Sequence, residues 1–303
     1  MSLISQIKEI EKKISGQILF DESLSKYSWF NLGGAAKVIF KPKNLNELSI
    51  FLKNCNALNS IKVLGAGSNT LIRDSGVKGV VIKLGSKFSN IELLEEDTVE
   101  VGASTLDRKV SDFAKNNAIS GMEFLSCIPG SIGGAIIMNS GCYGSDISKI
   151  LSSIKIIDEK GKEKEIKNNE IKFFYRGTNI PKNYIILSAV LKGIISSKQL
   201  IEQKQEELIE RKKKSQPSQI KTGGSTFKNP IEQTKIKVWE LIKKSVPLES
   251  KFGDAKISNK HCNFFVNSGK ATFNDMKKLI EFVRKNVRLK TGIKLETEIE
   301  IIE

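Results

Sequence analysis

The chain is short of the residues that most side-chain chemistry uses. It has a single histidine, His261, so a serine or thiol activated by an imidazole has only one possible base, and a metal centre built on imidazoles lacks its ligands. Its four cysteines, Cys55, Cys127, Cys142 and Cys262, contain no C-x-x-C spacing. That argues against structural zinc and iron–sulfur sites, so no metal is expected, and free thiols in a reducing compartment are. Long apolar runs are also missing. The longest, "YIILSAVLKGII", is about half a membrane span and contains Lys192. The opening "MSLISQIKEIEKKISG" is amphipathic and broken by charge where a secretory signal would be continuously apolar. A cytosolic protein without a membrane partner is expected.

What is present is ordinary for a globular protein, with 39% hydrophobic and 27% charged residues in 303, a length that suggests two domains. The net charge of +15 could serve nucleic acid or a small polyanion. The lysines are scattered, however, and the one compact run, "ERKKK" at 210–214, ends a helical pattern where cations complement the helix dipole. No aromatic side chains interleave with it to stack on bases, so nucleic acid is not an expected partner. A monomer is expected.

The pattern mixes strands and helices without regular alternation, which favours α+β over a doubly wound parallel sheet. "AKVIF" reads as a strand followed by the amphipathic helix "NLNELSIFLKN". "IKVLGAGSNTLI" and "GVVIKL" read as strands around a glycine loop, and "TVEVGA" as another strand. "STLDRKVSDFAKNN" carries Leu106, Val110, Phe113 and Ala114 at helical spacing. "ILSSIKIIDEKGKEKEI" reads as a hairpin turned at Lys160–Gly161, and "YIILSAVLKG" as a buried strand. A charged helix starts near residue 196, where a domain boundary is expected. "TFND" opens a later helix with a capping box; its core face is Met276, Leu279, Ile280, Val283 and Val287, and Gly292 stops it. "IKLETEIEII" reads as a closing strand, with Glu296, Glu298 and Glu300 on one face.

Two glycine-rich loops stand out. "VLGAGSNTLI" follows a strand with Gly65 and Gly67, but Thr70 stands where a dinucleotide fingerprint needs its third glycine, and no clear helix follows. A Rossmann crossover is disfavoured; an anion nest of backbone N–H groups and a plain tight turn remain open. "IPGSIGGAIIMNSG" adds Gly130, Gly133, Gly134 and Gly141. Such flexibility costs folding entropy, which a chain tolerates where backbone lies against a flat or phosphorylated ligand. Two such loops suggest an extended ligand such as a dinucleotide. Further on, "KTGGSTFKNP" places Ser225 behind two glycines, a pattern that also reads as turn chemistry.

Taken in order, "SWFNLGGAAKVIFKP", the two glycine loops, "FFYRGTNIP", "GGSTFKNP", "HCNFFVN" and "LETEIEII" resemble the UDP-N-acetylenolpyruvoylglucosamine reductase (MurB) family of flavoenzymes in peptidoglycan synthesis, almost end to end. The resemblance implies a vanillyl-alcohol-oxidase (PCMH-type) FAD-binding region over residues 1–196, with lobes of about 1–58 and 59–196. A C-terminal α+β substrate domain then covers 197–303, its last strand packing back on the N-terminal lobe. It implies noncovalent FAD held by Gly65, Ala66, Gly67, Ser68, Asn69, Thr70, Gly130, Ser131, Gly133, Gly134, Ser140 and Gly141, with NADPH as co-substrate.

It further implies that Ser225 donates a proton to the substrate, that Arg176 faces its carboxylate and that Glu298 assists protonation. Asn229, Lys221, Lys228 and Tyr143 would contact a UDP-sugar enolpyruvyl ether. His261 is read as a buried histidine in an apolar strand. The chain passes from "VLKG" directly to its charged helix, which matches the short type of the family, without a tyrosine-bearing loop over the substrate. Another flavin oxidase or dehydrogenase of this fold, or a non-catalytic basic nucleotide- or RNA-binding protein, are the alternative readings. Covalent flavin attachment often uses histidine, and neither glycine loop has one.

Overall fold

The computed structural model describes residues 2–55 and 60–302. The chain divides into two compact units: residues 1–20, 37–66 and 78–212 form the first, and residues 21–36, 67–77 and 213–303 the second. The charged helix Lys198–Ser215, expected to begin the C-terminal domain, thus belongs to the first unit as far as Lys212. The expected lobe division at residues 58 and 59 lies outside the described residues, and the four-stranded sheet takes strands from both sides of it.

That sheet runs in the order Gln17–Ser23, Ala35–Lys41, Val77–Ile82, Ile61–Val63. Its core, with Ile7 and Ile10 from helix Leu3–Glu11 and Leu48 and Phe51 from helix Leu45–Asn54, includes a stacked pair, Phe40 and Phe51, with ring centroids 4.2 Å apart. Asn44 caps the second helix by accepting the Glu47 N–H at 3.0 Å. A separate antiparallel sheet has the order Glu163–Lys167, Leu151–Ile157, Ile185–Lys192, Thr98–Gly102, Ile91–Glu95. Its central strand is buried on both faces at Ile185, Ile186 and Leu187 and then alternates, with Ala189 and Leu191 buried and Ser188, Val190 and Lys192 on the more open face. The hairpin turns where expected: Gly161 has φ +69°, and the Asp158 carboxylate accepts the Lys160 and Lys162 N–H groups at 3.0 and 2.9 Å.

Helix Asp107–Asn116 packs in the same core through Val110 and Ala114. Leu106 precedes it and is exposed, because it caps the helix instead of joining its apolar face. The first helical residue, Asp107, is fully buried, and neither carboxylate oxygen has a hydrogen-bond partner among the described residues. Burial pushes its carboxyl well above the usual range. A carboxyl raised in the fold contributes fully below its unfolded value, and that contribution is lost as pH rises towards the folded one. Asp107→Asn is therefore expected to stabilise the protein more at pH 8 than at pH 4, measured by urea unfolding. Equal effects at both values would mean that Asp107 is ionised in the fold.

The second unit is built on a sheet ordered Thr222–Ser225, Phe264–Asn267, Ala255–Ile257, Lys251–Phe252. Helices Val238–Ser245 and Phe273–Thr291 complete its core, where Phe227 and Phe265 meet edge to face at 5.8 Å. The long helix follows the sequence reading. Thr272 and Asp275 form a reciprocal capping box, Met276, Leu279, Ile280, Val283 and Val287 are buried, and Gly292 ends the helix at φ +74°.

The closing strand is shorter than expected, spanning only Glu300–Ile302, parallel to Thr70–Ile72. Upstream, a single bridge joins Thr297 to Phe227, and the chain bends at Ile299, so the alternation that put three glutamates on one face does not hold. Glu298 is half-buried; Glu296 and Glu300 are exposed. His261 precedes the strand instead of lying in it. It is half-buried, accepts the Asn263 N–H on Nδ1 at 3.2 Å, and burial lowers its pKa. Among the described residues no helix is long and apolar enough to cross a membrane.

Candidate active site

The first glycine loop is shared between the units: Gly65 and Ala66 belong to the first, Gly67 to Thr70 to the second. Gly65 and Ala66 line a cleft of about 200 Å³ in the first unit together with Ser131, Gly133 and Gly134 of the second loop. Here the two glycine loops meet directly. A Cβ on Gly65 would sit 2.8 Å from Ser131 Oγ, and one on Gly133 3.2 Å from the Ala103 carbonyl oxygen. Leu64, Leu84, Ile137 and Ile186 add apolar walls.

The sequence reading missed Lys83, Ser104 and Tyr184, which also line the cleft. Lys83 Nζ donates to the Gly65 carbonyl at 2.7 Å, and burial, with the nearby Lys41 charge, lowers its pKa. In the sequence Lys83 is only one lysine after the apolar "GVVI", and its burial beside the Gly65 carbonyl is what marks it. A partly desolvated cation and two serine hydroxyls beside apolar walls are the chemistry a nucleotide needs, with polar groups for a phosphate and apolar side chains for a base. The volume suits one part of FAD.

The rest of the first loop is engaged by the second unit. Gly67 has φ +71°, and a Cβ there would run into the Tyr27 carbonyl. Gly67 is thus required by backbone packing, whatever it does for a ligand. Asn69 fastens the C-terminal segment, donating from Nδ2 to the Glu298 carbonyl at 3.0 Å and accepting the Glu300 N–H at 2.8 Å. Thr70 is buried, and Ser68 is half-buried.

In the second loop the Gly130 carbonyl accepts the Asp107 N–H at 3.2 Å, and Ser140 is tied through its backbone to Ala135 and Ile147. Arg176 Nη2 donates to the Gly141 carbonyl at 2.9 Å. Arg176 occupies the turn of the hairpin Phe173–Phe174 and Gly177–Thr178 at φ +59°, a left-handed conformation that a non-glycine residue holds at a cost of roughly 1–2 kcal/mol. Its guanidinium lies 5.3 Å from the Tyr175 ring centroid. Tyr143, also left-handed at φ +53°, has the Arg211 guanidinium 4.6 Å from its ring.

In the second unit the two glycines before Ser225 have separate structural causes. A Cβ on Gly223 would strike the Phe30 ring, and Gly224 has φ +80° at the irregularity in the strand pairing between Thr222 and Ser225. After this kink Ser225 pairs with Phe264 and is half-buried. Its neighbour Thr226 accepts the Glu298 N–H at 2.8 Å, while the Lys228 N–H donates to the Glu296 carbonyl at 2.9 Å. Ser225 and Glu298 therefore lie on directly paired backbone segments. Arg176 belongs to the first unit.

Asn229 Oδ1 accepts the first N–H of helix Val238–Ser245 at 3.0 Å. Lys228 Nζ lies 3.8 Å from the exposed Glu296 carboxylate, and Lys221 is exposed, with Nζ 3.3 Å from the Gly269 carbonyl.

Residues 36–167 match the family model of an FAD binding domain, and residues 216–302 match that of the C-terminal domain of UDP-N-acetylenolpyruvoylglucosamine reductase. A Pelagibacter ubique protein named UDP-N-acetylenolpyruvoylglucosamine reductase is 52% identical over 300 residues, 99% of each chain. One of the same name from a Wolbachia of Drosophila simulans is 41% identical over 291 residues, 96% of this chain and 97% of the relative. The crystal structure of the Thermus caldophilus reductase superposes with a TM-score of 0.82 at 29% identity, covering 96% of this chain and all of the other. Fold, cleft and domain models together define a flavin-dependent oxidoreductase with an FAD-binding region of the vanillyl-alcohol-oxidase type. Within that class, the chain belongs to the UDP-N-acetylenolpyruvoylglucosamine reductase family.

Proposed function

We propose that the protein reduces the enolpyruvyl ether of UDP-N-acetylglucosamine enolpyruvate to UDP-N-acetylmuramate, a step of peptidoglycan precursor synthesis, acting as a cytosolic monomer. The observation that carries this reading is the 52% identity, over 99% of both chains, to a reductase of that name. Held noncovalently where Gly65 and Ala66 meet Ser131, Gly133 and Gly134, and recharged by NADPH, FAD would supply the hydride. The work of the chain's own residues follows from where hydride addition puts charge.

Hydride arriving at the terminal carbon of the enolpyruvyl group drives negative charge into the carboxylate. The Arg176 guanidinium neutralises that charge. Its planar fork is already oriented by the Gly141 carbonyl and the Tyr175 ring, so little reorganisation is needed as the charge develops. The ether-bearing carbon, now strongly basic, takes a proton from the Ser225 hydroxyl. A serine that gives a proton instead of attacking needs no imidazole base. Glu298, half-buried on the segment paired with Thr226, assists protonation directly or through a water.

Asn229, Tyr143, Lys221 and Lys228 contact the sugar nucleotide. The Lys228 pair with an exposed glutamate is of the kind worth roughly 0–1 kcal/mol, so the ammonium can exchange to a diphosphate at little cost. The test is anaerobic reduction by NADPH followed by addition of the enolpyruvyl sugar nucleotide. Bleaching of the flavin band and its return on adding substrate are expected. A flavin that NADPH reduces but the enolpyruvyl ether cannot reoxidise would point to another oxidoreductase of this fold. If the lysines hold the diphosphate, raising salt is expected to raise KM more than it lowers kcat, read from steady-state kinetics at several ionic strengths.

A further inference from the structure

Among the described residues that line the cleft in the first unit, Lys83 alone carries a charge, and no carboxylate joins it. The four-stranded sheet puts it there. Lys83 follows strand Val77–Ile82, and its N–H donates to the Phe40 carbonyl at 3.0 Å, while the Leu64 N–H donates to the Ile82 carbonyl at 2.9 Å. It thus sits between the strand end that carries Lys41 and the one that leads into the first glycine loop. Burial and the Lys41 charge both disfavour its ammonium and lower its pKa. Two cations held together beside a cleft without carboxylates form an arrangement that an anion in the cleft relieves.

The two serines of the cleft are not equivalent. Ser104 Oγ gives its proton to the Gly85 carbonyl at 2.7 Å, so it meets a ligand as an acceptor. Ser131 Oγ makes no capping bond to the helix Ile132–Ile137 that follows it, and it lies 2.8 Å from where a Cβ on Gly65 would stand. Lys83 Nζ approaches the same glycine at its carbonyl, at 2.7 Å. A cation and a hydroxyl donor therefore flank Gly65. We propose that Lys83 binds the diphosphate of FAD, with Ser131 donating from the other side of Gly65. The ammonium has three donors, so holding the Gly65 carbonyl and binding a phosphate oxygen are compatible. On this reading the first glycine loop holds its anion through a side-chain cation anchored on a loop carbonyl, and a backbone nest is not required. The inference rests on the flavin reading of the cleft.

The test measures FAD affinity of the full chain, independently of turnover, by fluorescence titration after the native flavin has been removed. Lys83→Gln keeps an amide that can donate to the Gly65 carbonyl but carries no charge. It is expected to bind FAD on the order of tenfold to a hundredfold more weakly, the scale of a lost hydrogen bond to a charged group, with unchanged circular dichroism. Lys83→Arg is expected to keep most of the affinity. Rising salt is expected to weaken FAD binding to wild type and to Lys83→Arg, and to affect Lys83→Gln much less. ADP and adenosine, used as competitors of FAD, locate the contact: ADP is expected to outcompete adenosine on wild type and to lose most of that advantage on Lys83→Gln. Native affinity in Lys83→Gln overturns the proposal. So does a weakening that is the same for ADP and adenosine, which would make Lys83 a support of the loop alone. Should Lys83→Gln fail to fold, wild-type FAD affinity that ignores salt, or ADP that competes no better than adenosine, overturns it equally. A wild-type chain that takes up no FAD overturns the flavin reading of the cleft and the proposal with it; one that takes up FAD without dependence on Lys83 overturns the proposal alone.

Discussion

Ser225→Ala is expected to leave flavin reduction by NADPH near the wild-type rate and to slow flavin reoxidation by the enolpyruvyl substrate by roughly 10²–10⁴-fold, the range for a positioned general acid. Structure and chemistry separate cleanly at this residue. The features that shape the strand are backbone features: the lack of a side chain at Gly223 against the Phe30 ring, the left-handed Gly224, and the Thr226 N–H that donates to the Asn263 carbonyl at 2.7 Å. None involves the Ser225 hydroxyl, so alanine keeps the local fold. Ser225→Cys should retain more activity than alanine, because a thiol can also give up a proton. The two half-reactions are timed separately in a stopped-flow instrument through the flavin absorbance. Equal slowing of both would make Ser225 structural. If neither slowed, the proton would come from another donor, and Glu298→Gln, expected to spare the NADPH half and slow the substrate half, would identify it.

The parts of this molecule written in local pattern were legible in the sequence. Helix Phe273–Thr291 announced its cap, its apolar face and its terminating glycine, because each depends on residues within a few positions. The hairpin at Lys160–Gly161 did the same. Features that depend on distant neighbours were not legible. Gly223 read as turn chemistry, yet Phe30, almost two hundred positions away, explains it; Tyr27 likewise explains Gly67, read as a ligand glycine. The closing strand was read too long because alternation alone cannot show that Phe227 pairs with Thr297 while Thr70 pairs with Glu300. Lys83 escaped notice because burial beside the Gly65 carbonyl, not its place in a motif, sets it apart. The second unit is assembled from three separate stretches, which no boundary drawn once along the chain can represent.

Gly65→Val is expected to give a folded protein that purifies nearly colourless, whereas Gly67→Val is expected to fail in folding. The two glycines sit in one short motif, and the sequence alone gave them the same role. The structure gives them different neighbours. At Gly65 an added Cβ meets only the Ser131 hydroxyl, 2.8 Å away across the nucleotide cleft, and a hydroxyl on a rotatable side chain can swing aside. The valine methyl groups then occupy space in a cleft of about 200 Å³, where even one part of FAD has little to spare. At Gly67 the Cβ would overlap the Tyr27 carbonyl, which is fixed backbone, and φ +71° is itself unfavourable for a β-branched residue. Flavin per polypeptide, read from the absorbance ratio, separates these outcomes from circular dichroism, which reports folding. Full release of wild-type FAD on denaturation checks in the same experiment that the cofactor is noncovalent. Gly65→Val with native flavin content would show that the cleft between the glycine loops is not where FAD binds.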